Sequence, residues 1–227
     1  MKKVKKVFIL ICCSIFFHTT ISDSSLNFDN LKKAVVSIEV KTLKEIRAQK
    51  ILVIEKGAGF IIDPSGWVIT NCHIVESLFL DPDLNDGKII NNGLEVTLFD
   101  GRKCSADYVS ICFLNLDTAL FKVDCGKEKL PFLLISNKSP QKGDEIILLG
   151  LKNIKEGLVI DTNGISQSII ITASFESGWS GTPVLNYERE VIGIASFTYF
   201  EKDSGKERFA VIPINKSLLK SINKSRN

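Results

Sequence analysis

Gly57-Ala58-Gly59-Phe60-Ile61-Ile62-Asp63-Pro64-Ser65-Gly66-Trp67-Val68-Ile69-Thr70-Asn71-Cys72-His73-Ile74-Val75 joins two short apolar runs through a turn and closes on a histidine. Gly59 to Ile62 and Trp67 to Thr70 read as strands, because short apolar or alternating runs bounded by breakers suit half-buried strands. Between them, Asp63-Pro64-Ser65-Gly66 is turn chemistry: proline presets φ and glycine permits φ > 0. His73 then stands at a strand end, a rigid place to mount a functional side chain.

The same alternation of short runs and turns continues in both directions. Val35 to Val40, Ile51 to Ile54, Leu94 to Phe99, Lys103 to Val109 and Thr118 to Val123 are predicted strands in the first half, with Asp100-Gly101 as a hairpin turn. Glu145 to Leu149, Gly157 to Asp161, Ser168 to Thr172, Val184 to Leu185, Val191 to Phe197 and Arg208 to Ile212 follow in the second. A bridge from Asp124 to about Lys138 separates the two sets. Helix signals are few: a short helix around Leu31 capped by Asn27 or Asp29, and a last one through Leu218, Leu219 and Ile222 capped by Asn215. The fold class is all-β, built as barrels or a sandwich. Leu78 to Gly93, rich in Asp, Asn and Gly, reads as a long surface connection.

Composition sets the surroundings. The 227 residues are 44% hydrophobic and 24% charged, ordinary for a globular chain. Lys2, Lys3, Lys5 and Lys6 precede an apolar run from Val7 to Phe17 and then Thr19-Thr20-Ile21-Ser22, the order of a secretory signal peptide. That run is short of the ~20 residues a membrane helix needs. Cleavage near Ser22 predicts export to the periplasm or beyond, with no stable membrane insertion afterwards; an uncleaved anchor is the alternative. Without the leader's four lysines, 25 basic residues face 26 acidic ones. Nothing then favours a nucleic-acid surface. Cys72, Cys104, Cys112 and Cys125 remain, as disulfides in any of three connectivities or as buried thiols. No Cys-x-x-Cys spacing is present and one histidine is a poor supplement, so no metal site is expected. No cofactor is expected either.

Three polar residues carry potential chemistry. Gly178-Trp179-Ser180-Gly181-Thr182-Pro183 places a serine between glycines. A hydroxyl nucleophile needs a base, and outside the leader only His73 offers an imidazole. The Gly178 and Ser180 N–H groups could face one cavity as an oxyanion hole. Asp117, beside an apolar strand, needs a partner, and pairing with His73 would fix the imidazole's tautomer. Taken singly, Ser180 fits an ordinary turn, His73 a packed core histidine and Asp117 a turn aspartate.

Together these residues resemble trypsin-like serine proteases of the HtrA/Deg type. Gly57 to Val75 resembles that family's base motif, Asp117-Thr118-Ala119-Leu120 its acidic segment, and Gly178 to Asn186 its nucleophile segment. Ile192-Gly193-Ile194 and Phe209-Ala210-Val211-Ile212-Pro213 look like the late strands. The resemblance covers residues 28 to 220. It implies two six-stranded antiparallel β-barrels of chymotrypsin-like type with short terminal helices: a signal peptide (1–22), an N-terminal segment (23–33), a first barrel (34–127), a second barrel (132–214) and a helical tail (215–227). It also implies polypeptide substrates, catalytic His73, Asp117 and Ser180, and a homotrimer through N-terminal contacts, for which Leu26 to Lys33 is the candidate segment. By analogy, Ser174-Phe175 and Ser196-Phe197-Thr198 wall the primary pocket. No acid is expected at the pocket floor, although Glu176 lies close in sequence. Phe175 then limits depth and favours small or medium aliphatic side chains at the cleaved position. The sequence departs from the family pattern at Trp179, where a small polar residue is usual, and at Thr182. It also ends where a PDZ module usually follows, so activation through such a module is not expected. Trp179 leaves room for a second reading, a non-catalytic binding or chaperone-like module on the same fold.

Overall fold

Strand pairing closes two barrels in the computed structural model, which describes residues 28–78, 88–113, 116–126, 128–202, 204–214 and 216–225. The first contains β1 (Val35–Ile46), β2 (Gln49–Ile61), β3 (Trp67–Thr70), β4 (Lys88–Thr97), β5 (Lys103–Phe113) and β6 (Thr118–Asp124), in the order β1-β2-β3-β6-β5-β4. The second contains β7 (Glu145–Leu149), β8 (Ile154–Asp161), β9 (Ile169–Ile171), β10 (Pro183–Leu185), β11 (Val191–Phe200) and β12 (Glu207–Pro213), in the order β10-β11-β12-β9-β8-β7. The strand pairs are antiparallel, for example Phe60 opposite Ile69 and Ile194 opposite Ile212. This is the expected all-β, chymotrypsin-like architecture.

Among the described residues three α-helices accompany the barrels: α1 (Asp29–Lys32), α2 (Cys72–Val75) and α3 (Lys216–Ser225). Phe28, rather than Asp29, takes the first cap position, without a side-chain cap; Asn27 and Asn215 lie outside the described residues. His73 is not at the end of a strand. It sits inside the single turn of α2, which continues as a 3-10 turn over Glu76–Leu78. The expected surface connection from Leu78 is also shorter than predicted. Lys88 to Gly93 belong to β4 and pair with β1, as in Lys41 opposite Gly93 and Glu45 opposite Lys88; residues 79–87 lie outside the described part.

Each barrel fills its own interior. Val36, Ile38, Ile61, Val68, Val96 and Phe121 are buried in the first, and Ile146, Leu148, Ile169, Val184 and Val211 in the second. A third cluster joins the barrels. Ala34, Val35, Phe60 and Leu120 of one meet Leu149, Leu185 and Ile194 of the other, and Leu218 and Ile222 of α3 close over it. Burying a side chain of this size is worth ~1.5–3 kcal/mol, so the interface is a core and not a hinge. The bridge between the barrels is fastened on both sides: the Leu133 amide donates to Ile61 (2.8 Å) and the Ser136 amide to Val191 (2.9 Å).

The four cysteines form two disulfides, Cys72–Cys112 and Cys104–Cys125. Both lie in the first barrel. The former ties α2, which carries His73, to β5.

Candidate active site

The nucleophile segment reaches the first barrel through backbone contact. The Ser180 carbonyl accepts the Ala58 amide of β2 at 2.7 Å. Gly181 then passes directly over β2 with φ of +86°, and its own amide donates to Ala195 of β11 at 2.9 Å. Ser180 is thereby held between the two barrels.

His73 and Asp117 meet across the first barrel. The His73 Nδ1–H faces both carboxylate oxygens at 2.9 and 3.0 Å, and the His73 backbone amide donates to Oδ1 at 3.0 Å. Asp117 has φ of +41°, a conformation that Asp tolerates better than most L-residues. The buried Asn71 fixes it there by donating Nδ2–H to the Asp117 carbonyl at 3.0 Å. Burial pushes the Asp117 carboxyl up, but hydrogen bonds from His73 and Ser196 outweigh that and hold it below the ordinary carboxylate value. The same contact with Asp117 raises His73 above the usual imidazole value, against the opposing effect of burial.

Ser196 connects this pair to the serine. A register shift in the pairing of β11 with β12 falls between Ala195 and Phe197. Such bulges re-aim a side chain, and here the buried Ser196 hydroxyl donates to Asp117 Oδ2 at 2.5 Å. The Ser196 carbonyl accepts the Ser180 hydroxyl at 3.1 Å. The hydroxyl therefore rests on Ser196 instead of on His73. Ser196 thus touches both groups with different atoms, its carbonyl holding Ser180 and its hydroxyl holding Asp117, which in turn pairs with His73.

The turn before Ser180 is tight and glycine-dependent. The Trp179 amide donates to the Glu176 carbonyl at 3.1 Å, and Gly178 takes φ of +93°. Glycine in that third position is the type II preference. Neither the Gly178 amide nor the Ser180 amide has a partner among the described residues.

Beside Ser180 lies a pocket of about 590 Å³. Phe175, Ser196, Phe197 and Thr198, expected from the sequence, line it, and so do Lys155, Glu176, Glu207 and Phe209. The Phe175 and Phe209 rings pack at 5.4 Å between centroids. The pocket thus has an aromatic wall, and its lining holds two acids, one more than sequence proximity suggested.

A family model for the trypsin-like peptidase domain matches residues 57–194, a stretch holding His73, Asp117 and Ser180. The chain belongs to the trypsin-like peptidase family. Among curated relatives of this peptidase domain is a probable periplasmic serine endoprotease, DegP-like, from Chlamydia trachomatis serovar D, 35% identical over 152 residues, covering 61% of this chain and 27% of that protein. Serine protease HTRA4 of Homo sapiens is 27% identical over 167 residues, covering 66% of this chain and 32% of its own length. The putative serine protease HhoA of Synechocystis is 31% identical over 155 residues, covering 61% and 36%. The match thus spans about a third of these relatives, at most 36%.

Several residues of the peptidase site were not singled out by sequence reasoning. Asn71 was legible only as part of a motif. The link from Ser196 to Asp117 depends on a bulge, and Phe209 and Glu207 reach the pocket from β12. Trp179 does not fill the cleft; its indole lies across Gly150 in the turn between β7 and β8.

Proposed function

We propose that the chain is an exported serine endopeptidase. The observation that carries this reading is Ser196 bridging Ser180 and the His73–Asp117 pair across the two barrels, next to a turn whose Gly178 and Ser180 amides have no partner among the described residues. In the reaction the Ser180 hydroxyl turns from the Ser196 carbonyl to His73. Oγ attacks the peptide carbonyl carbon while His73 Nε2 takes its proton. The carbonyl oxygen becomes an oxyanion and receives hydrogen bonds from the Gly178 and Ser180 amides. Asp117 holds Nδ1–H and stabilises the imidazolium. His73 then protonates the amine, the C–N bond breaks, and water, deprotonated by His73, hydrolyses the acyl-enzyme on Ser180. Export is supported by the leader-like residues 1–22 and by two disulfides, which persist in oxidising compartments. No helix among the described residues is long and apolar enough to cross a membrane. A fluorophosphonate probe should label the folded protein at Ser180 alone; labelling mapped to another residue would sink the assignment.

The pH dependence has a definite sign. The base must be neutral, and Asp117 raises its pKa. Activity should therefore rise with pH through a midpoint above the ~6.5 of an unperturbed imidazole. The ion pair's contribution to stability runs the other way: it is fully present below the unfolded value and is lost as pH rises through the folded one. A pH profile of kcat/KM with its midpoint at or below ~6.5 would contradict this.

The aromatic wall of Phe175 and Phe209 supports a shallow pocket and a preference for small or medium aliphatic side chains at the cleaved position. A peptide library should show such residues enriched there, and Phe209→Ala should shift the preference to larger ones. A wild-type profile dominated by Lys or Arg would mean that Glu176 and Glu207 decide specificity instead.

A further inference from the structure

We propose that Trp179 is a positioning residue for the oxyanion turn, seated on Gly150 and Lys155. The inference rests on the reading of Ser180 as nucleophile.

Trp179 lies between the two donor amides. Its own amide is committed to Glu176 and its carbonyl accepts the Thr182 amide at 2.9 Å. Its backbone therefore sets the direction of the peptide units on either side. Gly178 cannot do this alone. A Cβ there would meet nothing within 4 Å, so a side chain at 178 would have nothing to pack against. A side-chain anchor for the turn can come from the next residue.

The indole supplies it. A Cβ on Gly150 would stand 2.8 Å from Cζ3 and 2.9 Å from Cη2, so only glycine lets the ring settle flush on this turn. The turn itself is closed by the Gly150 amide donating to the Asn153 carbonyl at 3.0 Å. Lys155 Nζ stands 4.7 Å from the ring centroid, a cation–π distance. The same ammonium donates to the Ser174 carbonyl at 2.9 Å, which fastens the segment leading into the oxyanion turn. Gly150 and Lys155 thus meet the ring from the β7–β8 hairpin, and the Ser174 carbonyl holds the Lys155 ammonium there. The ring also packs against the barrel's interior cluster. Lys155 lines the primary pocket as well, so the ring's seat and the substrate's first side chain share a residue.

The test compares steady-state cleavage of a fluorogenic peptide, and the affinity of a peptide boronic acid, in wild type, Trp179→Ala, Trp179→Phe and Lys155→Met. The boronate's tetrahedral adduct on Ser180 places an oxygen where the oxyanion would lie. Trp179→Ala should lower kcat roughly 10²- to 10³-fold, the loss expected for one misaligned donor, with KM changed less than about threefold. The boronic acid should weaken by a similar factor. Trp179→Phe, which keeps a flat ring over Gly150, should recover most of the loss, and Lys155→Met should cost about two- to fivefold in kcat. Circular dichroism establishes folding. If Trp179→Ala does not fold, Lys155→Met decides: a fall in kcat supports the proposal and an unchanged kcat overturns it. A folded Trp179→Ala with wild-type kcat, or with a change in KM alone, also overturns it. Wild type that neither cleaves peptides nor reacts with a fluorophosphonate removes the catalytic reading itself, and an active wild type with an indifferent Trp179→Ala removes only this inference.

Discussion

Ser180→Ala is expected to lower kcat by roughly five to six orders of magnitude while leaving the fold intact. Both halves follow from the site. The hydroxyl makes one hydrogen bond, to the Ser196 carbonyl, and a net loss of about 1 kcal/mol is the scale for such a bond. The backbone of residue 180 does more for the fold than the side chain does, through its carbonyl on the Ala58 amide, and alanine keeps it. What disappears is the atom that would form the acyl bond, and His73 then has no proton to take. Residual activity reflects whatever the amides and the pocket do for a water molecule. Casein degradation and fluorophosphonate labelling should both vanish, and the unfolding midpoint should barely move. Activity above about 1% of wild type, far above that expectation, would assign the nucleophile elsewhere.

Gly181→Ala, one residue away, should have a different signature. At φ of +86°, a Cβ on residue 181 would stand 1.8 Å from the Ala58 carbonyl oxygen and 2.7 Å from Thr70 Oγ1. Neither can give way cheaply. The Ala58 carbonyl accepts the Thr70 hydroxyl at 2.7 Å, and the Ala58 amide is bonded to Ser180. Relief would require moving β2 away from the nucleophile turn, against the core that joins the barrels. Overpacking and an unfavourable φ together should cost about 2–5 kcal/mol. The variant should lose labelling because Ser180 is displaced, and chemical denaturation should show the loss of stability. A variant within 0.5 kcal/mol of wild type, the range of a neutral surface change, and labelled at the normal rate would show that the turn has room to spare.

Much of the first barrel was legible because its turns are chemically explicit. At Asp63-Pro64-Ser65-Gly66 the aspartate accepts both the Ser65 amide and its hydroxyl at 2.7 Å, and Gly66 has φ of +93°. The outer part of the β1–β2 hairpin, Lys41 to Lys50, was not legible. There β1 is half-buried from Leu43 to Ile46 and β2 starts exposed, with no alternation in either, and the turn uses Arg47 and Ala48 at positive φ where Asn-Gly would be the usual signal. The helix carrying His73 has one turn, too little for a period of 3.6 to register. Ser196 could be placed near the pocket by analogy, yet its bond to Asp117 depends on where β11 slips against β12. The cysteine partners likewise required the topology. Trp179 stood out only as a departure from the family pattern, because its seat, Gly150 and Lys155, lies over twenty residues away in sequence.

Both disulfides belong to the barrel that carries His73 and Asp117, and none among the described residues belongs to the barrel that carries Ser180. If His73 is the base and Ser180 the nucleophile, as proposed, the two halves of the site are held by different means. The turn of Ser180 carries no disulfide, whereas fastening the helix of His73 to β5 through Cys72 and Cys112 needs an oxidant. In a reducing compartment the chain would hold a formed nucleophile beside an unfastened base. Redox surroundings, acting on one side of the cleft alone, would then set when the enzyme becomes competent.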